Sequence, residues 1–396
     1  MTVEKYGVIF YKGTSNIGDD IQTFMALRFL PKIDYIIERE ELDTFVSKNH
    51  EMVKVIMNGW FFHNAENWPI SPFIYPLLIS MHFTSNLMIS GYLDPYNEVL
   101  SGFGCEFLKK YAPIGCRDNH TMKLLNNCIG QDLTYFSSCL TTTVDLKKKK
   151  KNSKIIYAVD VDDEIYEYIK NNSNLEVKRI THVVGKKYQE LSFDERMKKV
   201  ENLLTDYYNA HLIVTSRLHA SLPCLGLKTP VLLIKHEDNL YPGRLESFYD
   251  FTNSMSKKEF LSGNYDVNHP IKNPTRYLEY RDKLISSCEE FINKKITKKV
   301  SDKEYIYWLE KKSSFQKEGF IKLIKKNDCI KKDMNKKIDC IIENFNSEKV
   351  SLNEEIKYLK NKIISLENEL ESIHYSKFYR IYSKLKRILN KFNRSK

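Results

Sequence analysis

The sequence predicts an α/β protein of two doubly wound domains facing each other across a cleft, followed by a C-terminal helical coiled-coil extension. Three observations carry that expectation. Between residues 154 and 251, segments of strand character alternate with segments of helical periodicity, the signature of parallel strands joined by crossover helices. The strand candidates LIV (212–214) and VLLI (231–234) are apolar without interruption, as strands covered on both faces are. Beyond residue 293 strand patterns stop and apolar residues recur every seven.

In the first half YGVIFY (6–11) reads as a strand. Gly and Asn mark a turn in the following KGTSNIGDDIQTFMALRFL, where Ile21, Phe24, Met25, Leu27 and Leu30 form a helical face. KVIMNGWFF (54–62) is a second strand, ending at Gly59, NLMISGYL (86–93) another, and APIGCRD (112–118) a strand reaching a loop before the helical HTMKLLNNC. LKKKKKNS (146–153) lacks apolar periodicity and sits between the strand-like FSSCLTTTV and a new strand, KIIYAVDV; it reads as an interdomain linker or as a solvated hairpin loop inside one domain. The alternation then runs IYEYIKNN (helix), EVKRITHV (strand), SFDERMKKVENLLTDYYNA (helix, with Ser192 and Glu195 as a capping box), HLIVTSR (strand), LHASLPCLGL (helix), PVLLIK (strand) and RLESFYDF (helix). The domain division expected is 1–146, a linker at 147–153, 154–293, a basic helical region at 294–337, a coiled coil at 338–374 and a basic amphipathic helix at 375–396.

The coiled-coil expectation rests on Ile338, Phe345, Leu352, Leu359, Leu366 and Ile373, with Ile342, Ile356, Ile363 and Leu370 in the other seam position and Lys349 as its polar break. Such a seam serves a homo-oligomer or antiparallel pairing within the tail. The last segment, SKFYRIYSKLKRILNKFNRSK, puts Phe378, Ile381, Tyr382, Leu385, Ile388, Leu389 and Phe392 on one face among eight basic and no acidic residues. That face suits peripheral contact with an anionic membrane, a protein partner or solvent.

At 396 residues and 42% hydrophobic content the chain is long enough for two cores. The formal charge of +11 belongs to the tail: residues 294–396 hold 27 Lys and Arg against 14 Asp and Glu, which leaves 35 against 37 before them. That distribution argues against nucleic acid as partner. The apolar run FIYPLLISMHF is too short to span a bilayer and is interrupted by Pro76, and the first residues lack a signal-peptide pattern. The 8 scattered cysteines contain no CxxC pair, which fits a reducing cytoplasm and gives neither a zinc site nor a disulfide framework. No metal or cofactor motif is present.

Ligands of open parallel sheets bind beyond the carboxyl ends of the strands, where helix N-termini present free N–H groups. SNIGDD, GCRD and TSRLHA fall at such positions. Arg217 and His219 lie between apolar runs that leave little water for a guanidinium, so Arg217 meets either a bound anion or a core carboxylate. His219 serves as a phosphate ligand, a proton shuttle or a core histidine. Thr215 and Ser216 suffice as helix caps, and Asp19 is a cap or an acceptor ligand beside Asn16 and Gly18. Arg117 with Asp118 is a binding cation or a surface ion pair.

In order along residues 5–251, NIGDDIQ (16–22), MNGWFFH (57–63), NWPISPFIYPLLISMHF (67–83), YAPIGCRDNHT (111–121), FSSCLTTTV (136–144) and IVTSRLHASLPCLGLKTPVLLI (213–234) resemble the polysaccharide pyruvyl transferase family. The resemblance implies two Rossmann-like domains arranged as in GT-B glycosyltransferases, and transfer of pyruvate from phosphoenolpyruvate to two sugar hydroxyls as a ketal. It places Ser216, Arg217, Leu218 and His219 on phosphoenolpyruvate with Arg117 as a second cation, and Asp19, with Asn16 and Gly18, toward a saccharide or lipid-linked saccharide acceptor. His219 and Asp19 are then the acid–base candidates. A lipid-linked acceptor would favour the cytoplasmic face of the cell membrane. The rivals are a sugar-nucleotide glycosyltransferase, with Glu237 and Asp238 as a ribose clamp, and a non-catalytic scaffold for surface-polymer assembly.

Overall fold

A computed structural model describes residues 4–61, 67–83, 100–151, 153–235, 245–296, 298–344 and 352–393. The chain forms two compact units, one of Met1–Phe45 with Glu51–Lys299, the other of Val46–His50 with Val300–Lys396. Two fully parallel sheets with helices, an α/β architecture, make up the first unit.

Its first sheet is built from β1 (Lys5–Phe10), β2 (Tyr35–Glu38), β3 (Val53–Phe61), β4 (Ile74–Phe83), β5 (Ile114–Cys116) and β6 (Thr134–Phe136), with α1 (Ile17–Leu27), α2 (Gly102–Lys110) and α3 (Asn119–Ile129) between them. The strand order is β2-β1-β3-β4-β5-β6. The second sheet carries β7 (Ile155–Val159), β8 (Glu176–Ile180), β9 (Leu212–Thr215), β10 (Val231–Lys235) and β11 (Asn253–Ser256). Around it lie α4 (Asp163–Asn172), α5 (Lys186–Gln189), α6 (Phe193–Asn209), α7 (Leu218–Gly226), α8 (Lys257–Leu261) and α9 (Tyr277–Asn293). Its order, β11-β10-β9-β7-β8, repeats the rule of the first: the chain reverses direction once, between β1 and β3 and again between β7 and β9. In such sheets the ligand crevice opens at that reversal, outside the carboxyl ends.

Alternation within each strand explains how two sheets share an interior. Val8, Ile56 and Ile79 from the first sheet and Tyr157, Val159, Ile213 and Val231 from the second point into one apolar cluster with α1, α7 and α9. The intervening Ile9, Val55, Met57 and Leu78 face a separate cluster with α2 and α3. Ile156, Ala158, Leu212, Val214 and Leu232 face a third with α4 and α8. The central strands of each sheet are thus covered on both faces, which is why they carry no polar alternation, whereas the edge strand β8 exposes Glu176, Lys178 and Arg179. The β6–β7 connection is drawn into the shared cluster: Leu140–Thr143 forms a 3-10 turn, and a Cβ on Gly226 of α7 would lie 2.4 Å from the Thr142 carbonyl oxygen. Only glycine permits that approach.

Several elements differ from expectation. FSSCLTTTV is the end of β6, a left-handed Ser138 at φ 67° and the 3-10 turn rather than one strand. RLESFYDF, expected to be a helix, contributes a 3-10 turn at Glu246–Phe248, with Leu245, Phe248 and Phe251 packed on the shared apolar cluster. β3 continues past Gly59 to Phe61, and FIYPLLISMHF, rejected as a membrane span, forms β4, the longest strand among the described residues. The expected strand NLMISGYL lies outside the described residues. The Ser192–Glu195 capping box forms as the sequence requires.

The second unit contains α10 (Asp302–Asn344) and α11 (Leu352–Asn393). The heptad run spans the end of one and the start of the other, and residues 345–351, with Phe345 and Lys349 among them, lie outside the described residues. A Lys331–Glu367 ion pair links the two helices. Among the described residues no helix is long and apolar enough to cross a membrane.

Candidate functional site

The β1–α1 turn is held by its own polar side chains. Asn16 caps α1 by accepting from the Gly18 N–H at 3.0 Å, and the Thr14 hydroxyl donates to Asp19 Oδ2 at 2.5 Å while Gln22 Nε2 approaches Asp19 Oδ1 at 3.4 Å. Across the reversal, Gly59 has φ 148° and a Cβ there would stand 1.9 Å from the Tyr11 hydroxyl, which donates to the Asn58 carbonyl at 3.1 Å. The Asn58 amide in turn donates to the Gln22 carbonyl at 2.9 Å. These bonds fix the start of α1 over the carboxyl ends of β1 and β3.

At the second reversal β7 ends in Asp160, a non-glycine residue at φ 50°. Its carboxylate accepts from the Thr181 hydroxyl at 2.5 Å, the His182 N–H at 2.9 Å and Arg217 Nε at 3.0 Å, while its carbonyl accepts from the Ser216 hydroxyl at 2.7 Å. Burial raises the Asp160 carboxyl, but these donors and the Arg217 charge outweigh it and lower it below the ordinary value. Arg217 itself caps α7 without a side-chain cap bond and keeps 38% of its side chain exposed. Leu218 starts α7 with its side chain in the shared apolar cluster, so it offers a ligand only its backbone N–H at the helix end.

The two loops meet. The His182 carbonyl accepts from the Ile17 N–H at 2.9 Å, and the Ser15 carbonyl accepts from the Val184 N–H at 2.8 Å, so the start of α1 pairs with the segment after β8. A Cβ on Gly18 would lie 3.0 Å from the Cβ and 3.1 Å from Nδ1 of His219, which is 4% exposed. Gly18 therefore has to lack a side chain for NIGDD and SRLH to close on one another. His182 is buried, its Nε2 2.7 Å from the Tyr207 hydroxyl, and burial lowers its pKa to about 4.

Arg117, at the end of β5, is not on the surface: both it and Asp118 are fully buried. One terminal nitrogen donates to Gln22 Oε1 at 3.4 Å and Nε stands 3.7 Å from Asp118, while Nε and Nη2 have no hydrogen-bond partner among the described residues. Asp118 is committed elsewhere, with Oδ1 capping α3 through the Thr121 N–H at 2.9 Å and Oδ2 2.6 Å from His82 Nδ1. Burial pushes the Asp118 carboxyl up, yet His82 and Arg117 overcome this and hold it well below the carboxylate range. On β4 beside β5 and just past the end of β6, the hydroxyls of Ser80 (φ 53°) and Ser138 are likewise buried with no hydrogen-bond partner among the described residues. A guanidinium in this state is costly to bury.

One more contact ties the halves. Arg196 of α6, fully buried, grips Asp20 through Nε at 2.8 Å and Nη2 at 2.7 Å and donates to the carbonyls of Tyr11 at 2.8 Å and Lys12 at 3.1 Å. The Tyr188 hydroxyl adds a bond to Asp20 at 2.6 Å. Burial raises the Asp20 carboxyl and this fork opposes it.

The structure thus brings Asn16, Gly18, Asp19 and His219 into one region, with Arg117 joined to it through Gln22 and Ser216 and Arg217 through Asp160 and His182. Sequence reading overlooked Asp160, His182 and Gln22. Asp160 was accessible by the rule that flagged the other loops, since it follows the strand KIIYAV; Gln22 lies one turn into a helix, where nothing local marks it.

A family model for polysaccharide pyruvyl transferase matches residues 16–239. No curated protein matches the sequence. Among solved structures, a functionally uncharacterised protein from Klebsiella pneumoniae is 12% identical, with 64% of this chain and 93% of that one covered and a TM-score of 0.38. The UDP-GlcNAc 2-epimerase of Methanocaldococcus jannaschii, solved with UDP-GlcNAc and UDP, is 12% identical over 74% of this chain and 94% of its own, with a TM-score of 0.33. The matched span begins at Asn16 and runs through Arg117 and the whole SRLH turn, and on that span the chain belongs to the polysaccharide pyruvyl transferase family.

Proposed function

We propose that the protein moves the pyruvyl group of phosphoenolpyruvate onto two hydroxyls of a saccharide, giving a cyclic ketal and phosphate, with a cell-surface polysaccharide or its lipid-linked precursor as acceptor. The observation that carries this reading is the closure of Gly18 on His219, which joins the family's two loop motifs at the reversals of both sheets. Phosphoenolpyruvate is a small trianion. Arg217, the α7 N-terminus and the incompletely bonded Arg117 are cationic or donor groups of the kind it requires.

In the reaction a proton is delivered to the methylene carbon, C3. The enol electron pair forms that C–H bond and leaves an oxocarbenium-like centre at C2, to which one saccharide hydroxyl adds as it loses its proton. The C2–O bond to phosphorus-bearing oxygen then breaks, phosphate leaves with the electron pair, and the second hydroxyl closes the ring. Of the two hydroxyl protons, one balances that given to C3 and the other leaves as hydrogen phosphate. His219 and Asp19 are the acid–base pair of this scheme, facing donor and acceptor respectively. Ser216, Leu218, Asn16 and Gly18 serve as substrate contacts around them.

A sugar-nucleotide glycosyltransferase of GT-B type is the rival, but Glu237 and Asp238 lie outside the described residues. Incubation with phosphoenolpyruvate and a saccharide panel, followed by phosphate assay, separates the two. Phosphate release that depends on both substrates supports the pyruvyl transfer; nucleotide release from a sugar donor without consumption of phosphoenolpyruvate refutes it. The scaffold reading predicts neither product.

We further propose that residues 375–396 hold the enzyme against an anionic membrane on the cytoplasmic side and that the 338–374 seam supports self-association. In the described part of α11, Tyr375, Tyr379 and Tyr382 are 78%, 74% and 59% exposed at one-turn spacing, beside a segment of eight basic and no acidic residues. Tyrosines at that spacing suit the headgroup layer.

A further inference from the structure

Asp160 is unusual on three counts. It is a non-glycine residue in the left-handed region, it stands at the reversal of the second sheet, and from the segment after β7 it bonds the two neighbouring segments, those following β8 and β9. Strained backbone of this kind persists where the surroundings over-determine it, and it concentrates at functional sites. What the carboxylate does there follows from which nitrogen of Arg217 it takes. It engages Nε, at 3.0 Å, and among the described residues the Nη nitrogens of Arg217 make no hydrogen bond, while 38% of the side chain is exposed.

A guanidinium presents one two-point face through Nε and Nη and another through its two Nη atoms. A carboxylate on Nε closes off the first and fixes the plane of the second. Left alone, an arginine this exposed would spread over several rotamers and lose that orientation on each binding event.

We propose that Asp160 is a positioning residue that holds Arg217 end-on, so that its two Nη nitrogens receive an oxyanion of the donor. This rests on the reading of phosphoenolpyruvate as donor. The three other donors to the Asp160 residue (Thr181, His182 and Ser216) explain why the carboxylate stays fixed and does not follow Arg217 outward.

Asp160→Asn is the variant of choice, because asparagine adopts positive φ with little cost and keeps the side-chain shape, so the charge and one acceptor oxygen are lost without a change of volume. Phosphoenolpyruvate affinity would be measured by calorimetry for the wild type, D160N, R217A and the double variant, together with the Nε–H resonance of Arg217 in the ligand-free protein, assigned by its loss in R217K. The expected result is a persistent Nε–H signal in the wild type that broadens or vanishes in D160N. With it come an affinity loss of about tenfold or more in D160N and less than about twofold when the same change is made in R217A, the non-additivity of a coupled pair. An unaltered Nε–H signal, tighter binding in D160N, or an equal loss in both backgrounds overturns the proposal. A wild type that ignores phosphoenolpyruvate while its Nε–H signal still depends on Asp160 overturns the donor assignment and leaves the positioning of Arg217 intact.

Discussion

Replacing Arg117 by Met keeps most of the side-chain volume and removes a fully buried charge whose Nε and Nη2 have no hydrogen-bond partner among the described residues. The same change withdraws a counter-charge from the buried Asp118 carboxylate, which keeps His82 as its closer partner, so a modest fall in melting temperature is expected. Phosphoenolpyruvate-dependent turnover is expected to fall by about a hundredfold or more. A large drop in melting temperature with turnover intact would assign Arg117 to structure. His182 supplies a pH signature of the same site. Burial holds its pKa at about 4 in the folded chain against the ordinary histidine value of 6.5, so the unfolded chain binds more protons between those values and stability falls as pH drops through that window. The loss reaches roughly 3 kcal/mol near pH 4. Unfolding free energy measured from pH 7 to 4 should be steeper for the wild type than for His182→Gln, which can still meet the Tyr207 hydroxyl.

At the scale of elements, the parts legible in the sequence were those with a strong local pattern. Strands covered on both faces write themselves as unbroken apolar runs, and the capping box at Ser192 needs only residues three apart. What escaped was set by neighbours distant in sequence. The β4 run, rejected as a membrane span, was given no element because burial of both its faces leaves no alternation to read, and the turn at Leu140–Thr143 is imposed by the close approach of α7. That approach yields a prediction: Gly226→Ala places a Cβ 2.4 Å from a carbonyl oxygen, and such overpacking costs about 1–3 kcal/mol, readable as a lower urea midpoint. In the tail, deletion of residues 374–396 is expected to abolish flotation with phosphatidylglycerol vesicles at moderate salt and to spare turnover of soluble acceptors. Vesicle binding that survives the deletion would move the contact elsewhere in the chain.

Across the whole molecule, the site is assembled by contacts that no window of sequence contains. Gly18 and His219 are separated by most of the two-sheet unit, and Asp20 meets Arg196 from the opposite half. The motifs NIGDD, GCRD and SRLH could be found one at a time because each follows a strand; their convergence, and the counter-charges Asp160 and Asp20, depend on how the second sheet is seated against the first through the shared apolar cluster. Because Arg196 binds Asp20 and the carbonyls of Tyr11 and Lys12 together, Arg196→Ala leaves a buried carboxylate uncompensated, and a loss of about 3–5 kcal/mol in unfolding free energy is expected. If chemical denaturation shows less than about 1 kcal/mol, the clamp does not hold the halves as described.

The most direct test of the central claim is the stoichiometry of the reaction itself. With carbon-13-labelled phosphoenolpyruvate and a competent saccharide, the ketal methyl signal and free phosphate should rise together, one for one, in the wild type and be absent in Arg217→Ala and His219→Ala variants of unchanged melting temperature. Phosphate without a ketal, or full turnover in both variants, would contradict the account.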